Sequence, residues 1–261
     1  MDHLDRFAQA ARTRIEAGYY RVRSRKRPER GPRSFVRAIR IRNAEGNAII
    51  AELKPASPTA GDLLGDRKIE QLARLYRAGG AVGLSVLTEP EHFRGSLENL
   101  RAAAELELPV LMKDFVLDPV QLEACARLGG DGVLLILGLF LRGYAAVKLE
   151  EMIAHAHALG LEVLLEVSSP EEFQMAQRTE AEMIGLNSRD LASLEVDLER
   201  TIAILERTPH DGAKVIWALS GISSPEEVRR LRAAGAEALL VGTALMRAED
   251  PRRRLEELIR A

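Results

Sequence analysis

The chain contains one cysteine, Cys125, and few aromatic residues. A single cysteine excludes an internal disulfide, and the helical pattern around it favours a small buried side chain over a nucleophile. Aromatic residues make up 4% of the chain, whereas hydrophobic residues make up 46%. We therefore expect a core built mainly from Ala, Leu, Val and Ile.

Long apolar runs are also absent from the sequence. No run approaches the roughly 20 residues that span a bilayer, and charges within the first six positions are unlike a secretory signal. Charged residues make up 29% of the chain, which is enough to solvate the exterior of a globular protein. We expect a cytoplasmic protein without a membrane partner.

Sequence motifs for metals and nucleotides are missing as well. His155 and His157 are two residues apart, so they face different directions on a helix, and the other histidines stand alone. The sequence has neither a GxGxxG fingerprint nor a P-loop. We therefore predict no catalytic metal and no nucleotide cofactor.

Charge is nearly balanced overall, at a net −2, but it is unevenly distributed along the chain. Residues 1–46 contain 13 Lys and Arg against 5 Asp and Glu. A basic arm can bind nucleic acid, but this one has no interleaved aromatic residues and no recognition motif. We expect instead that it packs on the acidic remainder of the chain or helps to hold an anionic ligand.

From residue 47 onward, short β-rich apolar runs alternate with stretches of helical period, a pattern typical of parallel strands joined by helices. Helix starts are marked at Ser96, Pro119, Ser169 and Ser224, and glycines precede several of the next strands. Eight strands are predicted near residues 47–53, 81–86, 109–113, 132–137, 162–167, 182–186, 214–218 and 237–241. Eight such units in 261 residues favour an α/β fold of the TIM (β/α)8 barrel type over an open sheet.

The first 46 residues are predicted to form an N-terminal extension, and residues 47–261 the barrel. Residues 2–22 have the pattern of an amphipathic helix, and a basic, proline-containing segment follows at 21–32. The extension has too few apolar residues for a core of its own. Residues 138–147, after the fourth strand, are interpreted as a long, partly apolar loop over the barrel mouth.

Charged residues lie at the ends of strands that are otherwise apolar. Glu52 and Lys54 are two apart and so point to the same face of the first strand, while Lys113 ends the third strand and Glu166 nearly ends the fifth. Catalytic groups of barrel enzymes come from these C-terminal strand ends. Because unpaired buried charges are costly, the four must meet a ligand or form a structural ion-pair network.

Polar and small residues follow the later strands. Asn187 and Arg189 come after the sixth strand and suit carboxylate, hydroxyl or phosphate groups, whereas Asp190 is interpreted as a loop cap. Ser220 and Gly221 follow the seventh strand, and Gly242 and Thr243 follow the eighth. Because the loops after strands seven and eight of barrels often bind phosphate, their joint occurrence predicts a phosphate site.

Six blocks of sequence resemble the indole-3-glycerol-phosphate synthase family over about residues 35–252. The blocks are 49–58 (IIAELKPASP), 83–89 (GLSVLTE), 93–96 (FRGS), 108–115 (LPVLMKDF), 184–191 (IGLNSRDL) and 245–251 (LMRAEDP). The resemblance implies conversion of 1-(2-carboxyphenylamino)-1-deoxyribulose 5-phosphate to indole-3-glycerol phosphate, with loss of carbon dioxide and water. It also implies a cofactor-independent lyase of tryptophan biosynthesis, and we expect a monomer.

The resemblance further implies roles for individual residues. Lys113 would be the general acid for ring closure and Glu166 the general base for dehydration. Lys54 would bind the anthranilate carboxylate and assist as an acid. Glu52 and Asn187 would orient these groups. The substrate would be bound by Ser57 and Arg189, its aromatic ring by Phe93 and Phe115, and its phosphate by Ser220, Gly221, Gly242 and Thr243, with the N-terminal arm closing over the phosphate.

One position departs from the family pattern. The family has a glutamate at the end of the seventh strand, where this chain has Leu219. The change removes an acceptor and a negative charge from the site, so a catalytically weakened, specialised or engineered variant remains an alternative. Another sugar-phosphate lyase or isomerase, with Lys54 or Lys113 forming a Schiff base, is a second alternative, and a non-catalytic ligand-binding protein a third.

Overall fold

The computed structural model describes residues 2–22, 31, 33–210 and 212–261. The strands are β1 (Ala48–Leu53), β2 (Ala56–Ser57), β3 (Gly61–Asp62), β4 (Gly83–Leu87), β5 (Val110–Lys113), β6 (Gly132–Ile136), β7 (Glu162–Val167), β8 (Met183–Asn187), β9 (Val215–Leu219) and β10 (Ala238–Val241). The helices are α1 (His3–Glu16), α2 (Phe35–Arg42), α3 (Ile69–Ala78), α4 (Leu97–Ala104), α5 (Pro119–Arg127), α6 (Leu137–Leu141), α7 (Leu149–Ala158), α8 (Pro170–Gln177), α9 (Leu198–Arg207), α10 (Pro225–Ala233), α11 (Thr243–Met246) and α12 (Pro251–Ile259).

Eight of the strands close into a parallel barrel in the order β1-β10-β9-β8-β7-β6-β5-β4, with the helices packed around it. The TIM-barrel prediction is therefore confirmed, and each predicted strand matches its observed bounds to within two residues. The remaining strands, β2 and β3, form a small antiparallel hairpin after β1. None of the helices in the described residues is long and apolar enough to cross a membrane.

Alternation along the strands determines which side chains enter the barrel. Because strand side chains alternate, Leu164 and Glu166 share one face of β7, and Trp217 and Leu219 share one face of β9. The register pairs Asn187 with Leu219 and Glu52 with Ser85. Apolar side chains thus fill the lower layers of the barrel, and charged or polar ones reach the C-terminal mouth.

Local signals in the sequence place the helix ends correctly. Ser96, Ser169 and Ser224 each accept a hydrogen bond from a backbone N–H in the first turn of the helix that follows. Gly160 and Gly235 follow α7 and α10 with φ of 69° and 109°, the left-handed conformation that glycine adopts without strain. Cys125 is buried on α5, as predicted.

The N-terminal extension and the loop after the fourth barrel strand differ from expectation. The first helix of the extension, α1, ends at Glu16 and not at residue 22 as predicted. A second helix of the extension, α2, was not predicted. The interpretation of residues 138–147 as loop throughout was wrong, because α6 occupies Leu137–Leu141. Most of the basic segment 21–32 lies outside the described residues.

Helix α2 closes the N-terminal end of the barrel. The Ser34 hydroxyl and the Phe35 N–H both donate hydrogen bonds of 2.5 Å to the Glu162 carboxylate. The Phe35 ring is buried against Trp217, with ring centroids 5.5 Å apart. A Cβ on Gly83 would lie 2.4 Å from Phe35 Cε1, so this glycine provides the space that the ring occupies.

We expect Gly83→Ala to destabilise the fold by about 1–3 kcal/mol, because the added methyl group overpacks the core beside Phe35. Chemical denaturation of the two proteins measures the difference in the free energy of unfolding. Gly31→Ala is the control, since no atom of the described residues lies within 4 Å of the corresponding Cβ. Equal stability of Gly83→Ala and wild type would contradict the conclusion that Gly83 provides the space for the Phe35 ring.

Candidate active site

Two adjoining cavities open at the C-terminal mouth of the barrel. The first has a volume of about 540 Å³ and is called the aromatic cavity; it is lined by Glu52, Lys54, Leu87, Phe93, Lys113, Asp114, Phe115, Leu134, Ile136, Glu166, Asn187, Arg189, Leu191 and Ser220. The second has a volume of about 1090 Å³ and is called the glycine-rich cavity; it is lined by Glu52, Lys54, Thr59, Ala60, Lys113, Arg189, Leu219, Ser220, Gly221, Ile222, Ser223, Leu240, Gly242, Thr243, Ala244 and Arg247. Shared residues join the two into one elongated site.

Glu52 and Lys54 form an ion pair on the wall that the two cavities share. Lys54 Nζ lies 3.0 Å from Glu52 Oε1, and the carboxylate is almost completely buried. A Cβ on Gly242 would lie 2.4 Å from Glu52 Oε1 and 3.2 Å from Lys54 Nζ. The glycine at the end of β10 therefore makes room for this ion pair.

A second pair of charges faces the mouth from β5 and β7. Lys113 Nζ lies 3.7 Å from Glu166 Oε2, and the Asn187 amide donates a 2.8 Å hydrogen bond to Glu166 Oε1. Glu166 Oε2 is buried without a hydrogen-bond partner among the described residues. One carboxylate oxygen is thus anchored, while the other is available to accept a proton.

The loop after β8 orients Asn187 and Arg189. The Arg189 N–H donates a 2.9 Å hydrogen bond to Asn187 Oδ1, and Arg189 Nη1 donates one of 2.6 Å to the Leu194 carbonyl. Burial lowers the pKa of the Arg189 guanidinium, and the negative charge of Glu52 partly offsets this effect. The Asp190 carboxylate accepts N–H bonds from Ala192 and Ser193, so it caps this loop, as predicted.

Phe93 and Phe115 lie on the apolar side of the aromatic cavity, next to helix α1. The Phe7 ring of α1 stacks on Phe115 at 4.6 Å, and the Phe93 ring lies 6.2 Å from Phe115. The Glu89 carboxylate accepts a 2.9 Å hydrogen bond from the Phe93 N–H and forms an ion pair with Arg14 of α1. Helix α1 therefore packs on acidic residues of the barrel and supports the two rings.

The glycine-rich cavity contains the four small residues expected to bind phosphate. Ser220 and Gly221 both have positive φ, of 67° and 77°. A Cβ on Gly221 would lie 2.6 Å from Val196 Cγ1, so only glycine fits at this turn. Gly242 and Thr243 line the same cavity from the end of β10.

Arg247 and Thr59 also line the glycine-rich cavity, and the sequence reasoning missed both. The Arg247 guanidinium is exposed and forms no ion pair or hydrogen bond with the described residues. Arg247 belongs to the 245–251 block, which resembles the family but did not by itself indicate a binding residue. The signal in the sequence was its position five residues after Gly242, which is itself a predicted phosphate-binding residue.

Ser57 is the one predicted site residue that the described cavity walls do not include. Its hydroxyl accepts a 3.1 Å hydrogen bond from the Ala60 N–H, within the hairpin that follows β1. Thr59 and Ala60 of the same loop line the glycine-rich cavity instead. Helix α1 lies beside the aromatic cavity and α2 at the opposite end of the barrel, and the described residues of the arm do not line the glycine-rich cavity. The closure of the arm over the phosphate stays a prediction.

Comparison with known proteins assigns the family. The family model for indole-3-glycerol phosphate synthase matches residues 4–258. The chain belongs to the indole-3-glycerol phosphate synthase family. A family member from Methanopyrus kandleri is 40% identical over 264 residues, covering 99% of this chain and 98% of its own. One from Thermococcus kodakarensis is 43% identical, covering 84% and 95%.

Solved structures outside this family share only the fold. Thiamine phosphate pyrophosphorylase from Pyrococcus furiosus superposes with a TM-score of 0.59 at 20% identity, covering 84% of this chain and 95% of its own. A mandelate oxidase structure has the same TM-score and identity, covering 81% and 72%. Membership of the family therefore rests on the sequence comparison, and the barrel is common to all.

One group of side chains in the described residues has the composition and spacing of a metal site. Glu89, Glu91 and His92 bring their ligand atoms within 4.8 Å of one another. Arg14 forms ion pairs with both carboxylates. The group therefore acts as the anchor of α1, and the absence of a catalytic metal stays a prediction.

We expect Gly242→Ala to lower kcat/KM at least tenfold while changing the free energy of unfolding by less than about 1 kcal/mol. The methyl group displaces the flexible end of Glu52 and so breaks its ion pair with Lys54, and the three atoms nearest to it all belong to these two side chains. Steady-state kinetics and denaturation measure the two effects. Gly138→Ala is the control, because its Cβ makes only ordinary contacts at 3.5 Å or more; an equal loss in both variants would sink the interpretation.

Proposed function

We propose that this chain converts 1-(2-carboxyphenylamino)-1-deoxyribulose 5-phosphate to indole-3-glycerol phosphate, releasing carbon dioxide and water without a cofactor. The observation that carries the proposal is the pairing of Lys113 with Glu166, 3.7 Å apart, in a mouth that also contains the Glu52–Lys54 pair. Acid/base chemistry near neutral pH requires one group that holds a proton and another that lacks one. Family membership supplies the identity of the substrate.

Lys113 acts as the general acid of ring closure. Its ammonium group donates a proton to the ketone oxygen of the substrate while the carboxylate-bearing ring carbon attacks the carbonyl carbon. The ketone becomes a hydroxyl group, and a new carbon–carbon bond closes the five-membered ring. Loss of carbon dioxide from the same ring carbon then restores aromaticity, so this step needs no further protein group.

Glu166 acts as the general base of the dehydration that follows. Its Oε2, which has no hydrogen-bond partner among the described residues, accepts the proton that the ring intermediate loses. Lys54, the assisting acid, protonates the hydroxyl group, which leaves as water. Asn187 holds Oε1 at 2.8 Å and thus aims Oε2 at the cavity. A carboxylate anchored on one side loses little freedom on reaching the transition state.

Lys54 and Arg189 bind the anthranilate carboxylate, and Phe93 and Phe115 hold its ring. Glu52 fixes the position of Lys54 through the 3.0 Å ion pair. Ser57 shapes the loop that carries Thr59 and Ala60. The binding energy of the substrate thus brings its ring carbon and its ketone together.

The glycine-rich cavity binds the phosphate. Ser220, Gly221, Gly242 and Thr243 let backbone N–H groups approach the anion closely, which side chains larger than theirs prevent. Arg247 lines the same cavity with a guanidinium that forms no ion pair or hydrogen bond within the described part of the chain. A guanidinium can form two charge-assisted hydrogen bonds with one phosphate.

We expect the purified chain to produce indole fluorescence from this substrate, and Lys113→Ala and Glu166→Gln to lower kcat by about 10²–10⁴-fold, the contribution typical of positioned acids and bases. Lys148→Ala is the control, because Lys148 is exposed outside both cavities. Normal turnover by both variants would refute the proposal. Trapping of a covalent adduct by borohydride with a carbonyl substrate would instead favour a Schiff-base enzyme.

We expect Leu219→Glu to change kcat less than about tenfold, because Lys113 and Glu166 carry the main proton transfers. Leu219 is buried and packs over Gly185, where a Cβ would lie 2.7 Å from Leu219 Cδ1. Kinetics of the variant beside wild type measure the effect, with Leu219→Gln as a matched control that lacks the charge. A rise of a hundredfold confined to Leu219→Glu would mean that the missing carboxylate limits catalysis.

A further inference from the structure

Asp114 is a buried carboxylate in the site to which the proposed mechanism gives no function. It follows Lys113 directly and is one of the residues that line the aromatic cavity. Only 3% of the residue is exposed. Because burying a carboxylate is costly unless it is well hydrogen-bonded, its partners indicate what it does.

Three donors from three parts of the chain bind this carboxylate. The Thr88 hydroxyl, just after β4, and the Tyr20 hydroxyl, from the N-terminal arm, donate to Oδ2 at 2.5 and 2.9 Å. The Phe115 N–H donates to Oδ1 at 2.8 Å. Asp114 therefore joins the ends of two neighbouring barrel strands to the arm.

The arm is held tightly at this point. The Tyr20 side chain is buried, and the adjacent Tyr19 hydroxyl donates a 3.1 Å hydrogen bond to the Thr88 carbonyl. Tyr19 also accepts a 3.2 Å hydrogen bond from the Leu97 N–H at the start of α4. Movement of the arm here would be transmitted through Asp114 to the residues on either side of it.

We propose that Asp114 is a positioning residue, whose carboxylate, held by Tyr20 and Thr88, fixes Lys113 and Phe115 at the aromatic cavity. The inference rests on the proposed function, since Lys113 is the acid of that reaction and Phe115 holds the ring of its substrate. It gives the arm a defined part in catalysis. Asp114 itself does not contact the reacting atoms.

The ionisation of this carboxylate supplies a measurable signature. Burial raises the pKa of Asp114 to about 6, and the hydrogen bonds from Thr88, Phe115 and Tyr20 counteract part of that rise. That pKa of about 6 also includes the smaller effect of the negative charge of Glu89, which is paired with Arg14 and adds to the rise. Above about pH 6 the carboxylate accepts all three donors; below it, the added proton must itself find an acceptor, so the network rearranges.

Tyr20→Phe tests the proposal without removing the carboxylate. Loss of one donor raises the pKa of Asp114 further, so the acid limb of the kcat profile should move to higher pH by roughly half a unit to one unit. Thr88→Val should move the limb in the same direction. In Asp114→Asn this component of the limb should be absent, with kcat at neutral pH lower by about tenfold.

Tyr76→Phe is the matched control, because it removes a buried hydroxyl whose hydrogen bond among the described residues is with Met246 Sδ and not with the Asp114 network. Its acid limb should coincide with that of wild type. A limb unchanged in Tyr20→Phe and Asp114→Asn alike, with normal kcat, would overturn the proposal. A shift of equal size in the control would also overturn it, since the effect would then be general.

Binding of two probes separates this proposal from the proposed function. Anthranilate reports on the aromatic cavity and inorganic phosphate on the glycine-rich cavity. Asp114→Asn should weaken anthranilate binding about tenfold and leave phosphate binding unchanged. If Asp114→Asn shows this pattern but the wild-type chain has no turnover, the proposed activity is refuted and the positioning role is retained. Equal anthranilate affinity of wild type and Asp114→Asn would overturn the positioning role alone.

Discussion

Two lysines and two carboxylates can share one end of a barrel only because each charge has a partner within reach. Lys54 pairs with Glu52, and Lys113 faces Glu166. An isolated charge in this setting would lose much of its hydration without compensation. The strand alternation that fills the lower layers with apolar side chains brings these four groups to the mouth, so the closed barrel places the charged groups of the site together.

The barrel could be predicted because local and global signals agree. Strand alternation, serine caps and left-handed glycines each lie where the sequence indicated, and the polar strand ends led directly to Lys113 and Glu166. Helix α2 was missed because basic residues obscure the apolar pair Phe35 and Ile39, whose importance depends on contacts with distant strands. Helix α6 was missed because it is a single short turn with two glycines close by.

Sequence reasoning found charges at strand ends but not their supports. Asp114 lies next to Lys113 and was passed over, because nothing in the linear order connects it with Tyr20 or Thr88. Arg247 was missed for the opposite reason, since an exposed arginine after a short helix looks like ordinary surface. Groups that act through other residues are defined by contacts between distant parts of the chain, and such contacts leave no local periodic signal.

The extension uses its positive charge for attachment. Arg14 pairs with Glu89 and Glu91, and Arg12 donates to the Tyr144 carbonyl at 2.9 Å. The Arg14–Glu91 pair is exposed on its carboxylate side and contributes about 1 kcal/mol or less, whereas Arg14 and Glu89 are both largely buried, so their attraction is offset by the loss of hydration of the two charges. Burial of Phe7 and Tyr20 supplies the larger apolar contribution. The apolar contacts fix the arm against the aromatic cavity, and the charges determine its orientation.

Leu219 changes the electrostatics of the mouth more than its shape. Glu52, Glu166 and Asp114 are the carboxylates among the described residues that line the two cavities, and Lys54, Lys113, Arg189 and Arg247 are the cations. A glutamate at 219 would equalise the two sets; leucine leaves one positive charge in excess. The proposed substrate carries a carboxylate and a phosphate, so this excess favours binding of the substrate. The same substitution removes an acceptor next to Asn187, which is the partner of Leu219 in the strand register. Binding and proton transfer therefore respond to this position in opposite directions, and only kcat and KM measured separately distinguish them.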